Sequence, residues 1–564
     1  MLWRDSLLQA IRTFREASLG QLEHVEPHLE PLPMIYPLVA VAIAFLCSLV
    51  ITPLARLLAL RIGMVDHPDS HRKLHREPIA LCGGTAILFS LFVTVAVFLI
   101  GAKEYSGLFQ ERFYEAVSLA IGAIAIVLLG ALDDRFTLRG RQKLFGQILI
   151  CLSIIAFGFT IDSFGFLGFH ANLGLLAVPV TLGWLLLSIN SVNLIDGADG
   201  LCSSVGWISF SALSAIGWYT GNHMESIIAA AMAGSLLGFL IFNLPPAKVF
   251  LGDAGSMLVG LILGVLAMRS WLRDSNSVSV AVPIVLMAIP LFDSSMAIIR
   301  RKLTGRSVFT VDRGHIHHNL MRFGIKNRWL VGVITLLSFV TASGAVLGVV
   351  FQSDMISVMT LLFAVGSLVV TRIFGFAECE LVVKRGINFS KTLVARRGVS
   401  DNLVQQQTVR LQGSRKWEIV WDTMIEFAEK HNLSKISLDL NMPWLHEGFH
   451  ASWHKNKMPE IGERWQVRLP VVSQERILGR IEALGKYDTS STFPVISALA
   501  EMLEELQPCM LEVVNDFEAT GVPPDSVIKP VMIGSDAETV VDLPSELDVT
   551  LFSNRKAASK FASE

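Results

Sequence analysis

From Met34 to about residue 376 the chain alternates long apolar segments with short polar breaks. An α-helix needs about 20 apolar residues to cross the hydrocarbon core of a bilayer. The pattern predicts spans near 34–60, 79–101, 114–132, 143–161, 173–190, 201–219, 225–244, 254–271, 278–299, 329–351 and 354–375, about eleven transmembrane helices. Pro179, Pro283 and Pro290 fall inside spans and predict kinks. Before Met34, Trp3, Leu7, Ile11 and Phe14 recur at helical spacing, so residues 1–33 read either as an interfacial amphipathic helix or as a loosely ordered lead-in. After residue 376 the pattern changes. Trp417–His431 is amphipathic and helix-like, and Lys435–Leu440 alternates as a strand. Trp465–Pro470 and Ile477–Glu482 read as a hairpin or meander, and Phe493–Phe517 as a helix. Residues 377–520 are therefore expected to form an α+β domain, and the Pro-, acid- and Ser-bearing stretch 521–564 a disordered tail.

Composition agrees with a membrane protein: 52% of the 564 residues are hydrophobic, with a mean hydropathy of +0.53. Six scattered cysteines form no C-x-x-C pair. The formal net charge of −2, with no basic tail or aromatic-basic stripe, gives no sign of nucleic acid. Charge placement is more informative. Alternate loops hold Arg61, Arg72, Lys73 and Arg76, then Arg135, Arg139, Arg141 and Lys143, then Lys248, then eight Lys and Arg residues between Arg300 and Arg328. The opposite loops offer Lys103, Arg112, Arg269 and Arg273. By the positive-inside rule the first set faces the cytoplasm, the amino terminus lies outside, and the α+β domain is cytosolic. The expected fold is thus an α-helical polytopic membrane protein with a C-terminal cytosolic α+β domain.

Polar clusters interrupt the apolar pattern on that same predicted side. They are Asp133-Asp134, the stretch N-S-V-N-L-I-D-G-A-D-G-L from Asn190 to Leu201, Gly252-Asp253-Ala254-Gly255-Ser256, Asp293, and His315-Ile316-His317-His318. A carboxylate costs roughly 2.5–3.5 kcal/mol at a membrane-helix centre and less near its end. Each cluster alone has a structural explanation, such as a polar loop, an interface anchor or a helix cap. Their gathering on one face is not explained by solvation. Aspartates beside Lys73, Arg300 and Arg301 suit a phosphorylated substrate, provided that a divalent cation bridges carboxylate and phosphate. Oxygen ligands point to Mg²⁺, or Mn²⁺, which would also stabilise charge in phosphoryl transfer. A site opening at the membrane surface suggests one lipid-borne and one soluble substrate.

Taken together, N-S-V-N-L-I-D-G-A-D-G-L, F-L-G-D-A-G-S-M, Asp133-Asp134 and H-I-H-H resemble the motifs of the polyprenyl-phosphate N-acetylhexosamine-1-phosphate transferases. This family includes the phospho-MurNAc-pentapeptide translocases. R-K-L-H at 72–75, followed by Pro78 and Gly83-Gly84, matches a further motif, and D-R-G-H-I-H-H is similar to the branch using UDP-GlcNAc-like donors. The resemblance spans about residues 34–376. It implies that a polyprenyl (undecaprenyl) phosphate attacks the β-phosphorus of a UDP-N-acetylhexosamine, giving a lipid-linked diphosphate sugar and UMP. It further implies Asp253 as the magnesium-binding aspartate, with Asp196 as a second metal ligand. Asp133 and Asp134 would handle the lipid phosphate. Asn190, Asn193, Asp196 and Asp199 would line the nucleotide side, and His315, His317 and His318 would recognise the donor. Lys73, Arg300 and Arg301 would contact phosphates. A phosphate monoester has a second pKa near 6, so Asp133 need not act as a base. Ala80 stands where the family has a second proline, and Thr137 where a polar or acidic residue often follows the aspartate pair.

The expected setting is the cell (inner) membrane, with UDP-N-acetylhexosamine, polyprenyl phosphate and the bilayer as partners, and a homodimer as a further expectation. Two other readings stay open: a transporter, and an inactive family member acting as a scaffold. Against the first, the motifs lie at one face rather than at the midplane. Against the second, every acidic motif is retained. The α+β domain is similar in element order to a GAF-like sensor module, and His431, His446, His450 and His454 read as solvated loop histidines.

Overall fold

The computed structural model describes residues 35–66, 78–166, 169–269, 281–303, 314–376, 378–380, 382–383, 409–412, 417–442, 447–455, 459–473, 476–488 and 492–521. The lead-in before Met34, Arg72–His75 with Lys73, His446 and the tail after Gly521 lie outside the described residues.

Among the described residues, eight helices are long and apolar enough to cross a membrane. They include α1 (Ile35–Ile62) and α2 (Gly83–Gly101). A short α3 (Lys103–Glu111) is followed by α4 (Phe113–Phe136) and the 17-residue α5 (Gly140–Ala156). Then come α6 (Ala177–Ile195), α7 (Leu201–Tyr219), α8 (His223–Asn243) and α9 (Gly252–Arg269). The segment expected as one span near 278–299 is broken into α10 (Ala281–Leu286) and α11 (Ala288–Leu303). The seven-residue α12 (Ile316–Arg322) precedes α13 (Asn327–Val350) and α14 (Asp354–Val370, 17 residues).

Enclosure orders these helices. In α9, 83% of the span is buried, in α7 78% and in α8 72%, against 22% in α1. The most hydropathic span, α1, is thus the least enclosed, because a helix facing lipid must be apolar all round. The inner helices use small residues that let backbones meet. A Cβ on Gly130 of α4 would lie 2.4 Å from the Ala254 backbone of α9, so alanine there would force the two helices apart. This contact sits one turn before Asp133 and beside Asp253.

Prolines act unevenly. Pro290 has no N–H to bond the Leu286 carbonyl, and the helix breaks at Met287 between α10 and α11. The Ser209 hydroxyl of α7 donates to that carbonyl at 3.3 Å, satisfying the group that the proline leaves unpaired. Pro179, in contrast, falls in the first turn of α6, where no intrahelical donor is needed, so the kink expected there has no cause.

At the motif end of the bundle, β1 (Val65–Asp66), β2 (Ile79–Leu81) and β5 (Val249–Phe250) form a small sheet, β2 antiparallel to β1 and parallel to β5. Ala80 pairs with Val249 and is buried. The sheet thereby ties the stretch before Gly83-Gly84 to the stretch leading into Gly252-Asp253. At the opposite end, β3 (Ser163–Phe166) and β4 (Phe169–Asn172) form a hairpin.

The carboxy-terminal part contains β6 (Val409–Gln412), α15 (Glu418–Lys430), β7 (Lys435–Met442), β8 (Glu447–His454), β9 (Arg464–Ser473), β10 (Arg476–Lys486) and α16 (Thr492–Gly521). The five strands form an antiparallel sheet in the order β6-β8-β7-β10-β9. Their hydrophobic cluster contains Trp417, Trp421, Phe449 and Trp453 together with α16 residues such as Leu499 and Met510. The expected helices and the 465–482 hairpin occur, whereas β8 corrects the loop reading of His450 and His454. Phe449, Ala451 and Trp453 are buried in alternation with the polar positions between them, a strand period. His431 ends α15 with its ring stacked on Phe427, centroids 4.3 Å apart.

Candidate active site

The acidic centre is assembled from three helix ends. Helix α4 carries Asp133 and Asp134 in its last turn, α9 carries Asp253 in its first, and α6 brings Asn190 and Asn193. Helix α6 runs to Ile195, five residues beyond the span expected to end at 190, so both asparagines are helical rather than in a loop. Their spacing of three places them on one helix face, toward α5 and α9. The Asn193 amide donates to Asp253 Oδ1 at 2.7 Å and to Ser256 Oγ at 2.8 Å. The Asn190 amide donates to Gln147 Oε1 of α5 at 2.8 Å.

A residue not assigned from sequence sits at the middle. Lys143 Nζ, in the first turn of α5, lies 2.6 Å from Asp253 Oδ2 and 2.8 Å from Asp133 Oδ2. It also donates to Asn193 Oδ1 at 3.2 Å. In the sequence Lys143 is accounted for by the positive-inside pattern. The signal that marks it is the pair Lys143 and Gln147, one helical turn apart on an otherwise apolar segment.

The two adjacent aspartates do different things. Asp133 Oδ1 accepts from the Leu138 backbone N–H at 2.8 Å, and Thr137, at φ 47°, closes the helix with its N–H on the Asp133 carbonyl. Asp134 turns to α9 instead, accepting from the N–H groups of Asp253 at 2.9 Å and Ala254 at 3.3 Å. A carboxylate on the first free N–H groups of a helix is stabilised by the helix dipole. Gly252 makes this approach possible: its φ is +72°, and a Cβ there would lie 2.7 Å from Asp134 Oδ2.

Asp196 and Asp199 occupy the turn between α6 and α7. Asp199 Oδ2 accepts from the Ala247 N–H at 3.0 Å, which holds the turn against the 245–248 segment. Burial raises the Asp196 pKa well above the usual carboxylate range, and the carboxylates of Asp253, Asp134 and Asp199 add to the shift. Crowded carboxylates of this kind call for a cation. The donors are hard oxygens, which suit Mg²⁺ or Mn²⁺. Among the described residues no three His, Cys, Asp or Glu side chains form a metal-holding group.

The histidine motif forms a second cluster. His315 precedes α12, and His317 and His318 fall in its first turn. The His317 and His318 rings lie 4.2 Å apart. A Cβ on Gly197 would sit 2.3 Å from His317 Nε2, so this motif meets the turn carrying Asp196. Arg300 and Arg301, in the last turn of α11, are buried. Arg300 is ion-paired with Glu378 and lies 5.9 Å from the Phe374 ring centroid. The structure thus unites Asp133, Asp134, Asn190, Asn193, Asp253 and Lys143, places Asp196, Asp199 and His317 beside them, and engages Arg300 with the chain just after α14.

Residues 116–271 match the family model described as "Glycosyl transferase family 4". Over 315 residues the chain is 34% identical to the probable undecaprenyl-phosphate N-acetylglucosaminyl 1-phosphate transferase of Bacillus subtilis (strain 168), covering 56% of this chain and 85% of that protein. It is 32% identical over 312 residues to the undecaprenyl-phosphate alpha-N-acetylglucosaminyl 1-phosphate transferase of Yersinia pestis, covering 54% of this chain and 82% of the relative. The corresponding Escherichia coli (strain K12) protein is 31% identical over 301 residues, covering 52% and 78%. This chain belongs to the family of undecaprenyl-phosphate N-acetylglucosaminyl 1-phosphate transferases.

Proposed function

We propose that this protein transfers N-acetylglucosamine-1-phosphate from UDP-N-acetylglucosamine to undecaprenyl phosphate and releases UMP. A lipid phosphate oxygen attacks the β-phosphorus of the donor; the bond from that phosphorus to the bridging oxygen breaks, and the electron pair leaves with UMP. The observation that carries the reading is the convergence of Asp133, Lys143, Asn193 and Asp253 at one end of a helical bundle in a chain of this family.

Lys143 counters the charge of an incoming phosphate while holding Asp133 and Asp253 in place. Asn193 orients Asp253, and Asn190 with Gln147 braces the face behind it. Asp134 keeps the start of α9 fixed, so Asp253 is presented by a rigid helix end. Asp253 and Asp196 would hold Mg²⁺, which when bound supplies charge stabilisation to the transferring phosphoryl group. The lipid phosphate, already largely dianionic at neutral pH, needs positioning more than deprotonation. His317 and His318 set donor affinity from the far side of the 196–200 turn, while Lys73, Arg301 and His315 are assigned to the same phosphate and donor surface.

We assign eleven crossings: the eight long spans, together with α5, the broken α10–α11 pair and α14. The amino terminus is then outside and the site cytoplasmic, as charge placement requires. The strand-bearing segment after residue 409 is assigned as a cytosolic regulatory or recruiting domain. Purified protein in detergent with Mg²⁺, UDP-N-acetylglucosamine and undecaprenyl phosphate should release UMP with equimolar lipid-linked product. UMP without the lipid product, or neither, would sink this reading.

A further inference from the structure

Asp293 is a buried carboxylate that the acidic centre does not use. It lies in α11, 1% exposed. Both of its oxygens are engaged. Oδ2 is 2.9 Å from His315 Nδ1, and Oδ1 accepts from the Ile316 N–H at 2.9 Å. An ionised carboxylate can only accept, so the shared hydrogen belongs to His315 Nδ1 and the ring's orientation is fixed. Beyond that ring the contacts continue. His315 and His317 are parallel within 3°, with centroids 5.8 Å apart. His317 is buried, and its Nε2 closes on Gly197, in the turn that carries Asp196 and Asp199.

From this geometry we propose that Asp293 is a positioning residue for the nucleotide-sugar donor. It orients His315, and through the stacked pair it seats His317 against the 196–200 turn. Donor affinity then depends on a carboxylate that touches neither substrate. A purely structural role would be different: tying α11 to α12 would affect both substrates and the active fraction alike. The inference rests on the donor reading above.

The test uses full-length protein, with UMP release measured against each substrate in turn. Asp293→Asn keeps the shape and weakens a charge-assisted hydrogen bond, so the apparent KM for UDP-N-acetylglucosamine should rise about tenfold. KM for undecaprenyl phosphate and kcat should stay within about twofold. His315→Ala should reproduce this split, and the double variant should be no worse than the more impaired single variant, since the two residues act in series. Additive effects in the double variant, an unchanged donor KM, or a loss confined to kcat would overturn the proposal. Should Asp293→Asn fail to fold, His315→Ala and Gly197→Ala, which displaces His317 from the other side, must show the same donor-selective and non-additive pattern. Wild-type protein without UMP release would instead remove the functional reading itself.

Discussion

Around Asp253 the helical half gathers charge into its interior, whereas the carboxy-terminal sheet keeps its charge on an outer face. Lys143 is 15% exposed and Asp133 10% where they pair, and Arg300 and Glu378 are 3% and 7% exposed. In the sheet, Arg468 and Arg480 are 63% and 60% exposed opposite Glu482 and Asp439. Burial divides the two regions again at their cores. Helix α9 packs through Gly and Ala contacts, while the sheet and its helices bury four tryptophans, Trp417, Trp421, Trp453 and Trp465. Exposed ion pairs are worth about 0–1 kcal/mol. Breaking a buried pair costs roughly 3–5 kcal/mol. Charge is held at such cost where it serves chemistry or fixes a junction.

The comparison predicts its sharpest effect at Asp253. Asp253→Asn keeps the Asn193 contact within reach and removes the charge that pairs with Lys143 and would hold the cation. Turnover should fall at least roughly a hundredfold, the scale of a lost electrostatic stabiliser. Near-normal UMP release with Mg²⁺ would show that this cluster is only structural. Lys143→Met tests the centre from the other sign and should match it to within about tenfold. Next in size are His317→Ala and His318→Ala, expected to raise the apparent donor KM about tenfold with little change in kcat. A loss of kcat with the disappearance of an ionisation from the pH profile would assign them acid–base work instead.

Much of this division was legible in the residues, for a physical reason. Asp133, Asp134, Asn190, Asn193 and Asp253 stood out because polar groups in apolar segments are expensive and must be explained. The partners were not legible. Lys143 is 110 residues from Asp253, and Arg300 is 78 from Glu378; the positive-inside pattern accounted for Lys143, and Arg300 read as a phosphate contact rather than as the partner of a distant glutamate. Asp293 was visible as a polar interruption, yet its link to His315 exists only once α11 and α12 meet. Helix α6 overran its expected end because hydropathy stops at Asn190 while helical hydrogen bonding continues. Strand β8 is weakly marked in the sequence because its alternation rests on Phe449, Ala451 and Trp453, with small Ala451 at its centre and polar residues between them.

A smaller effect should mark the boundary between the two regions. Phe374 packs on Phe292 with centroids 5.4 Å apart, Gly375 lies against the same ring, and Glu378 pairs with Arg300. The chain just after α14 therefore belongs to the helical body. Glu378→Gln leaves Arg300 buried without its counter-charge. It should lower the unfolding temperature of the detergent-solubilised protein, through the stability lost when a buried pair is broken, and reduce activity severalfold. If both properties are unchanged, the pair is incidental.

The least effect on transfer is expected from removing the sheet altogether. The residues gathered at the acidic centre, and those of the histidine cluster, precede residue 327, and the junction contacts end at Glu378. The sheet has its own hydrophobic cluster, in which Trp421 is fully buried. Trp421→Ala should destabilise it by about 3–5 kcal/mol. If the two regions are as separate as their charge and cores indicate, that damage stays local, and UMP release in detergent remains near the wild-type rate. A chain ending at Val399 carries the same argument to its limit. It keeps the Arg300–Glu378 pair and lacks every strand from β6 onward, so it should insert and turn over within about twofold of the full length. Any response of the full-length protein to a ligand or partner of the sheet should be absent from it. A truncated protein that is monodisperse and thermally cooperative yet inactive on added substrates would make the sheet part of the catalytic unit. An inactive protein that also fails to unfold cooperatively would instead place structural support for the helices beyond residue 399, and the division drawn here would move with it.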